Sequence, residues 1–106
     1  MQEATFLILT ALAAGSQHGY GIITDVTGIS GRRVRLRAGT LNTAQDRLHA
    51  DGLIEDEREE VFDSRLRRYY RLTPAATERL AEEAARLQSN AYVAMTRLDL
   101  SGELAT

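Results

Sequence analysis

The stretch RRVRLRAGTLNTAQDRLHADGLIE, residues 32–55, decides how this chain folds. It opens with Arg32, Arg33, Arg35 and Arg37 and runs straight into a helical pattern. Gly39 and Thr40 open that helix. Leu41, Ala44 and Leu48 recur on one face, and Gly52 ends it. On a 3.6-residue wheel the opposite face carries Asn42, Thr43, Asp46 and Arg47. Short polar side chains and an arginine can reach base edges in a DNA major groove. A helix N-terminus beside arginines such as Arg37 attracts phosphate through its free N–H groups. The plain alternative is a solvated amphipathic helix. Asp46 favours that alternative, because it would face a polyanion.

Downstream, LIEDEREEVF and RLRRYYRL predict two strands joined near Asp63 and Ser64. Alternation sets Arg65, Arg67, Tyr69 and Arg71 on one face, which suits a phosphate backbone. Leu66, Arg68, Tyr70 and Leu72 share the other face, which is mostly apolar and suits a core, with Arg68 the exception. The competing explanation is cross-strand pairing of these arginines with Glu55, Asp56, Glu57, Glu59 and Glu60.

Upstream, EATFLILTALAA (3–14) repeats Ala4, Leu7, Ile8, Ala11 and Leu12 at helical spacing and stops at Gly15. HGYGIITDVT (18–27) brings Ile22, Ile23 and Val26 to one face, and Gly28 and Gly31 break it. VRLR (34–37) reads as a short strand or an extended link. Thr73-Pro74 is an N-cap followed by proline at the first helical position, and the helix it starts runs to about Leu98. The order is helix, helix, helix, hairpin, helix: a mainly α chain with a small β-hairpin.

Composition excludes several classes. The 106 residues contain no Cys, so there is no disulfide, thiol nucleophile or thiolate metal site. The net charge of −2 speaks weakly against nucleic acid, but the charge is clustered. Residues 32–50 hold five arginines against one aspartate, residues 65–71 hold four arginines, and residues 51–63 hold seven acids against Arg58. The N-terminus, with Glu3 and no basic leader, does not read as a signal peptide, and the apolar run Phe6–Ala14 is far short of a membrane span. A cytoplasmic location is expected. His18 and His49 lack the further ligands of a metal site, HGYG lacks a nucleotide loop's pattern, and no catalytic constellation or cofactor is expected.

In the last helix Leu80, Ala84, Leu87, Ala91, Ala94 and Leu98 are spaced 4, 3, 4, 3, 4, a heptad seam. Pro74 to Leu98 would extend about 37 Å at ~1.5 Å per residue. A compact core of ~100 residues has a radius of only roughly 13 Å. The seam therefore predicts a homodimer, with Met95 and the first helix's Phe6 contributing to the interface. The small alanines allow close approach, or line a cavity for an effector.

HGYGII (18–23), AGTLNTAQDRLHADGLI (38–54) and RRYYRLT (67–73), in this order and spacing, resemble the PadR family of winged-helix transcriptional regulators, over about residues 5–98. The resemblance implies a winged helix-turn-helix DNA-binding domain over 1–73. It also implies a dimerisation helix and short tail over 74–106, as in the short branch of the family. It implies a dimeric repressor of double-stranded DNA at a pseudo-palindromic operator, with the third helix in the major groove and the hairpin wing along the backbone. By matching positions, His18 and Tyr20 would touch phosphates, Gly39, Thr40, Asn42 and Thr43 would lie at the groove, and Tyr70 and Leu72 would be mainly core. Some short relatives hold a planar aromatic effector between paired C-terminal helices, and Tyr92 is the aromatic residue available for that here. The family pattern has Tyr-Pro where this chain has Asn42-Thr43, often a basic residue at Asp46, a more basic wing tip than FDSR, and Gly where this chain has Ala76. These differences bear on operator and affinity rather than on fold. The alternative function is a winged-helix protein–protein module without strong DNA binding, docking through the acidic strand.

Overall fold

The computed structural model of the chain describes residues 1–105, with side chains for 1–99. Its elements are α1 (Glu3–Ala13), β1 (Gln17–His18), α2 (Gly19–Ile29), α3 (Ala38–Ala50), β2 (Ile54–Phe62), β3 (Arg65–Leu72) and α4 (Pro74–Ala105). The helical periodicity works as expected. Leu7, Ile8, Ala11 and Leu12 of α1, Ile22 and Val26 of α2, and Leu41 and Leu48 of α3 meet in one core. Leu36, Leu53, Ile54 and Ala76 close it. Leu9 and Gln45 are buried as well, beyond the helical faces that the apolar period marks.

The link 34–37 is not a strand. Leu36 alone is buried, and it pins the link to the core. Gly28 lies inside α2 rather than breaking it, and the helix ends at Ile29. The stop comes from Gly31 and Arg32, both at positive φ (60° and 69°), with the Arg32 N–H donating back to the Thr27 carbonyl at 2.8 Å. Such a left-handed reversal satisfies the last open carbonyls of a helix. Thr73 caps α4 as its sequence implies, because its hydroxyl accepts from the Ala76 N–H at 3.2 Å.

The hairpin turns at Asp63 and Ser64, both left-handed (φ 50° and 62°), as a two-residue turn with the twist of paired strands requires. The sheet has one more strand than expected. β1 pairs with β3 through Gln17↔Tyr70 and His18↔Tyr69, giving the order β1-β3-β2. Two residues show no alternation, so no sequence pattern announces β1. A bulge at Glu57 shifts the β2 register between Asp56 and Arg58. One face then carries the pairs Ile54–Leu72, Asp56–Tyr70, Glu59–Arg68 and Val61–Leu66, and the other Glu55–Arg71, Arg58–Tyr69, Glu60–Arg67 and Phe62–Arg65.

The expectation that the Leu66 face packs into a core holds only at its base. Tyr70 and Leu72 are packed against the core, but the hairpin projects past it. Leu66 is 58% exposed, with Val61 at 76% and Phe62 at 55% beside it. The last helix also needs correction, since it runs to Ala105 rather than to about Leu98. Ser101 and Gly102 lower helix propensity by ~1 kcal/mol or less each, and the good formers Glu103, Leu104 and Ala105 follow. Of the expected tail, Thr106 lies outside the described residues. The radius of gyration is 17.1 Å, against roughly 13 Å for a compact ~100-residue domain, and the long axis is 62 Å. The excess is α4 projecting from the core. Among the described residues no helix is long and apolar enough to cross a membrane.

Candidate nucleic-acid interface

α3 starts at Ala38, and no side chain caps its N-terminus. Gly39, Thr40, Asn42, Thr43 and Arg47 are all exposed, as is Arg37 at the cap position. The helix is held from behind by Leu41, Gln45 and Leu48 and so presents an intact outer face. Its flanks differ. Asn42 lines a crevice toward the wing, whereas Thr40, Thr43 and Arg47 line a groove toward α1 and α4. Asp46 also turns toward the wing, into a depression shared with Arg68, Tyr70, His49 and Asp56. The Arg68 guanidinium lines the same depression, but its carboxylate partner is Glu59.

His18 occupies the junction of β1, α2 and β3. Its Nδ1 accepts the Gly21 N–H at 3.2 Å and so caps α2. The neutral ring therefore carries its proton on Nε2. The Arg67 guanidinium lies 3.4 Å from that Nε2. Two donors converge there, an arrangement that a phosphate oxygen between them would satisfy. Partial burial, then the Arg67 charge, hold the His18 pKa below its ordinary value, with Glu60 opposing. Tyr20, the second residue of α2, is 74% exposed on the same crevice, whose volume is about 340 Å³.

The arginines separate into two groups. Arg71 bonds Glu55 at 2.8 Å, Arg68 faces Glu59 at 3.3 Å, Arg58 is paired with both Glu57 and Glu60, and Arg33 bonds Glu3 at 2.6 Å. Cross-strand neutralisation is therefore real for Arg68 and Arg71. Arg37, Arg47, Arg65 and Arg67 have no carboxylate within 4.0 Å among the described residues. Arg67 stacks on Phe62, 4.1 Å from the ring centre, which stiffens it without neutralising it. Tyr69 is less available than the alternation suggests. Arg58 covers its ring at 4.0 Å, and His18 meets it edge-on at 5.3 Å.

Three features escaped the sequence reading. Gln45 is only 7% exposed, and its Nε2 has no hydrogen-bond partner among the described residues. Its position between Leu41 and Leu48 puts it on the inward arc, but its polarity hid it. Arg68, the charged exception on the core-facing side of β3, borders the crevice beside α3. Val61, Phe62 and Leu66 form an apolar wing tip that alternation alone could not show to lie beyond the core.

The interface residues expected on α4 divide as well. Leu80 and Phe6 pack against the core of their own chain. From Ala84 onward Leu87, Ala91, Ala94, Met95 and Leu98 are exposed, with Leu98 at 65%. Tyr92 is exposed on the same stretch.

The sequence profile described as "Transcriptional regulator PadR-like family" matches residues 8–82. "Transcriptional regulator Rv3488" of Mycobacterium tuberculosis is 37% identical over 81 residues, spanning 76% of this chain and 72% of that protein. An "Uncharacterized 37.1 kDa protein in transposon TN4556" of Streptomyces fradiae is 38% identical over 93 residues, 85% of this chain. This chain spans only 25% of that longer protein. Among solved structures, a PadR family transcription regulator from Clostridium difficile superposes with a TM-score of 0.73 at 23% identity, covering 92% of this chain and 99% of that one. Bacillus subtilis PadR in complex with operator DNA gives 0.69 at 19% identity, covering 78% of this chain and 47% of that one. These superpositions share the winged-helix fold.

Proposed function

The chain belongs to the PadR-like family of transcriptional regulators, and from that premise we propose that it is a homodimeric, sequence-specific DNA-binding repressor that a small molecule releases. α3 enters the major groove, where Asn42 and Thr43 meet base edges and Gly39, Thr40 and Arg47 lie against the groove wall. Arg37 and the uncapped start of α3 meet one phosphate run. His18, Tyr20, Arg65 and Arg67 meet another, with Tyr69 bracing the wing. α4 pairs with its copy in a partner along Ala84–Leu98 and sets two α3 helices about one DNA turn apart, so the operator is pseudo-palindromic. The protein acts in the cytoplasm, where its operator is.

One observation carries this reading. Of the arginines without a carboxylate within 4.0 Å among the described residues, Arg37, Arg47, Arg65 and Arg67 gather at the start and outer face of α3 and at the wing end. The protein-docking alternative draws on the acidic strand β2, but there Glu55, Glu57, Glu59 and Glu60 each have an arginine partner. Selection of DNA from a random-sequence pool at low salt tests the proposal. An enriched inverted repeat supports it, and a protein that retains no DNA at low salt refutes it.

A further inference from the structure

Gln45 is the one polar side chain buried among the described residues. It sits on α3 between Leu41 and Leu48, both in the core. Its Nε2 is shut off from solvent and has no hydrogen-bond partner among the described residues. Packing does not call for an amide there, because methionine or leucine would fill a similar volume without stranding a donor. A buried donor left unpaired in the free protein is a cost that an acceptor from outside the chain can remove. Gln45 borders two hollows between α3 and the wing. One is the crevice of about 340 Å³ that it shares with His18, Tyr20, Asn42, Arg67 and Arg68. The other is a depression of about 230 Å³ that also holds Asp46, His49 and Asp56. The two differ in charge. Two carboxylates line the depression, whereas no acid lines the crevice among the described residues. His18 Nε2 and the Arg67 guanidinium, 3.4 Å apart, already converge on the crevice. A Cβ placed on Gly19, the residue after His18, would lie 4.0 Å from the Gln45 Nε2, so the amide abuts the start of α2. A third donor thus sits deep under the same opening. A hollow edged by donors and free of acids matches the oxygens of a phosphate.

On the reading of α3 and the wing as the DNA-facing surface, we propose that Gln45 is a buried phosphate anchor: one backbone phosphate sinks into the crevice and accepts the Gln45 N–H, with His18 and Arg67 holding its other oxygens. The terminal torsion of a glutamine amide is soft, so the N–H turns from the enclosed side to the crevice when an acceptor arrives. Depth separates this contact from those at the surface. A long exposed arginine follows a phosphate over a range of positions. Gln45 is clamped between Leu41 and Leu48 on its own helix, so a phosphate bound to it fixes how α3 is set against that strand. The contact carries no base information. Being neutral, the amide also releases no counterion from DNA.

The test uses the full chain and pool-selected DNA. Gln45→Met keeps an unbranched side chain of similar reach and removes the amide. The variant should melt at the parent's temperature or above it, because no donor is left stranded. It should bind operator and random DNA alike about tenfold more weakly, as for a lost hydrogen bond to a charged group. Its log–log salt slope should match the parent's, unlike that of Arg67→Ala. Neutral methylphosphonate linkages, placed one at a time in the DNA, should reveal one linkage that weakens the parent and leaves Gln45→Met unaffected. Full DNA affinity in Gln45→Met, a loss confined to the operator, or the same methylphosphonate map in both proteins would each overturn the anchor. So would a lower melting temperature in both Gln45→Met and Gln45→Leu, which would make Gln45 a packing residue. If the parent retains no DNA at low salt, inorganic phosphate decides. A shift of the Gln45 side-chain amide with phosphate, absent with chloride at equal ionic strength, would support the crevice as a phosphate site while the DNA reading of α3 fails. Without that shift the anchor fails too.

Discussion

The winged unit and the far half of α4 are opposites in how they use apolar residues. In the first, Ile8, Leu9, Ala11, Ile22 and Val26 are wholly excluded from solvent within a single chain. In the second, Leu87, Tyr92, Val93, Met95 and Leu98 stand exposed along a projecting helix. Burying a leucine is worth about 1.5–3 kcal/mol. A long helix that leaves a heptad seam open gives up that term unless a second copy supplies the other face. The winged unit completes itself, whereas α4 leaves open the seam that the proposed dimer would cover.

The largest expected effect breaks that contrast at the seam. Leu87→Arg removes two leucines per dimer, about 3–6 kcal/mol, so dimer dissociation should rise by ~100-fold or more. Leu87 lies outside the core of the winged unit, so circular dichroism should still show a folded protein. Light scattering should read a monomer, with operator affinity lost alongside. A folded monomer that binds as tightly as the parent would show that pairing does not set recognition.

The next effects sharpen the difference between free and paired arginines. Arg67→Ala should weaken all DNA sequences alike and flatten the log–log salt dependence by about 0.9, one phosphate contact. Arg71→Ala, whose partner is Glu55, should leave that slope unchanged. Equal slopes for the parent and Arg67→Ala would mean that Arg67 serves only the wing. Asn42→Ala should instead narrow the gap between operator and random DNA by roughly 1–3 kcal/mol. Binding curves on both DNAs measure this.

The smallest effect concerns pH. His18 is held below its ordinary pKa in the fold, so the unfolded chain binds more protons in the acid range. Its contribution to stability is complete above the unfolded value near 6.5 and is lost as pH falls below it through the lowered folded value. His18→Asn keeps a side-chain cap for α2 and removes the titration. Thermal melts from pH 7.5 to 5 should lose less stability in that variant than in the parent. A parallel decline in both would exclude His18 as the source.

The helices, the hairpin turn and the α4 cap were legible because each has a local signal. These are the apolar period in α1 to α3, two short polar residues at Asp63-Ser64, and Thr73-Pro74. What stayed hidden depends on how elements meet. β1 is too short to alternate, and Gln45 is polar on an inward arc. Alternation in RLRRYYRL sorted its faces correctly but could not say where the core ends. It therefore points Leu66 inward, although only Tyr70 and Leu72 reach the core. Cross-strand alternatives for the arginines were also visible in the sequence. Only the geometry separates Arg68 and Arg71, which are paired, from Arg65 and Arg67, which are not.

The central claim is that two α3 helices are held one DNA turn apart by paired α4 helices. Native mass spectrometry of the complex with pool-selected DNA, combined with the half-site spacing in the selected sequences, tests it most directly. The account predicts two chains per duplex and inverted half-sites with centres about 10–10.5 base pairs apart. One chain per duplex, on selected DNA with a single uninterrupted site, would contradict it.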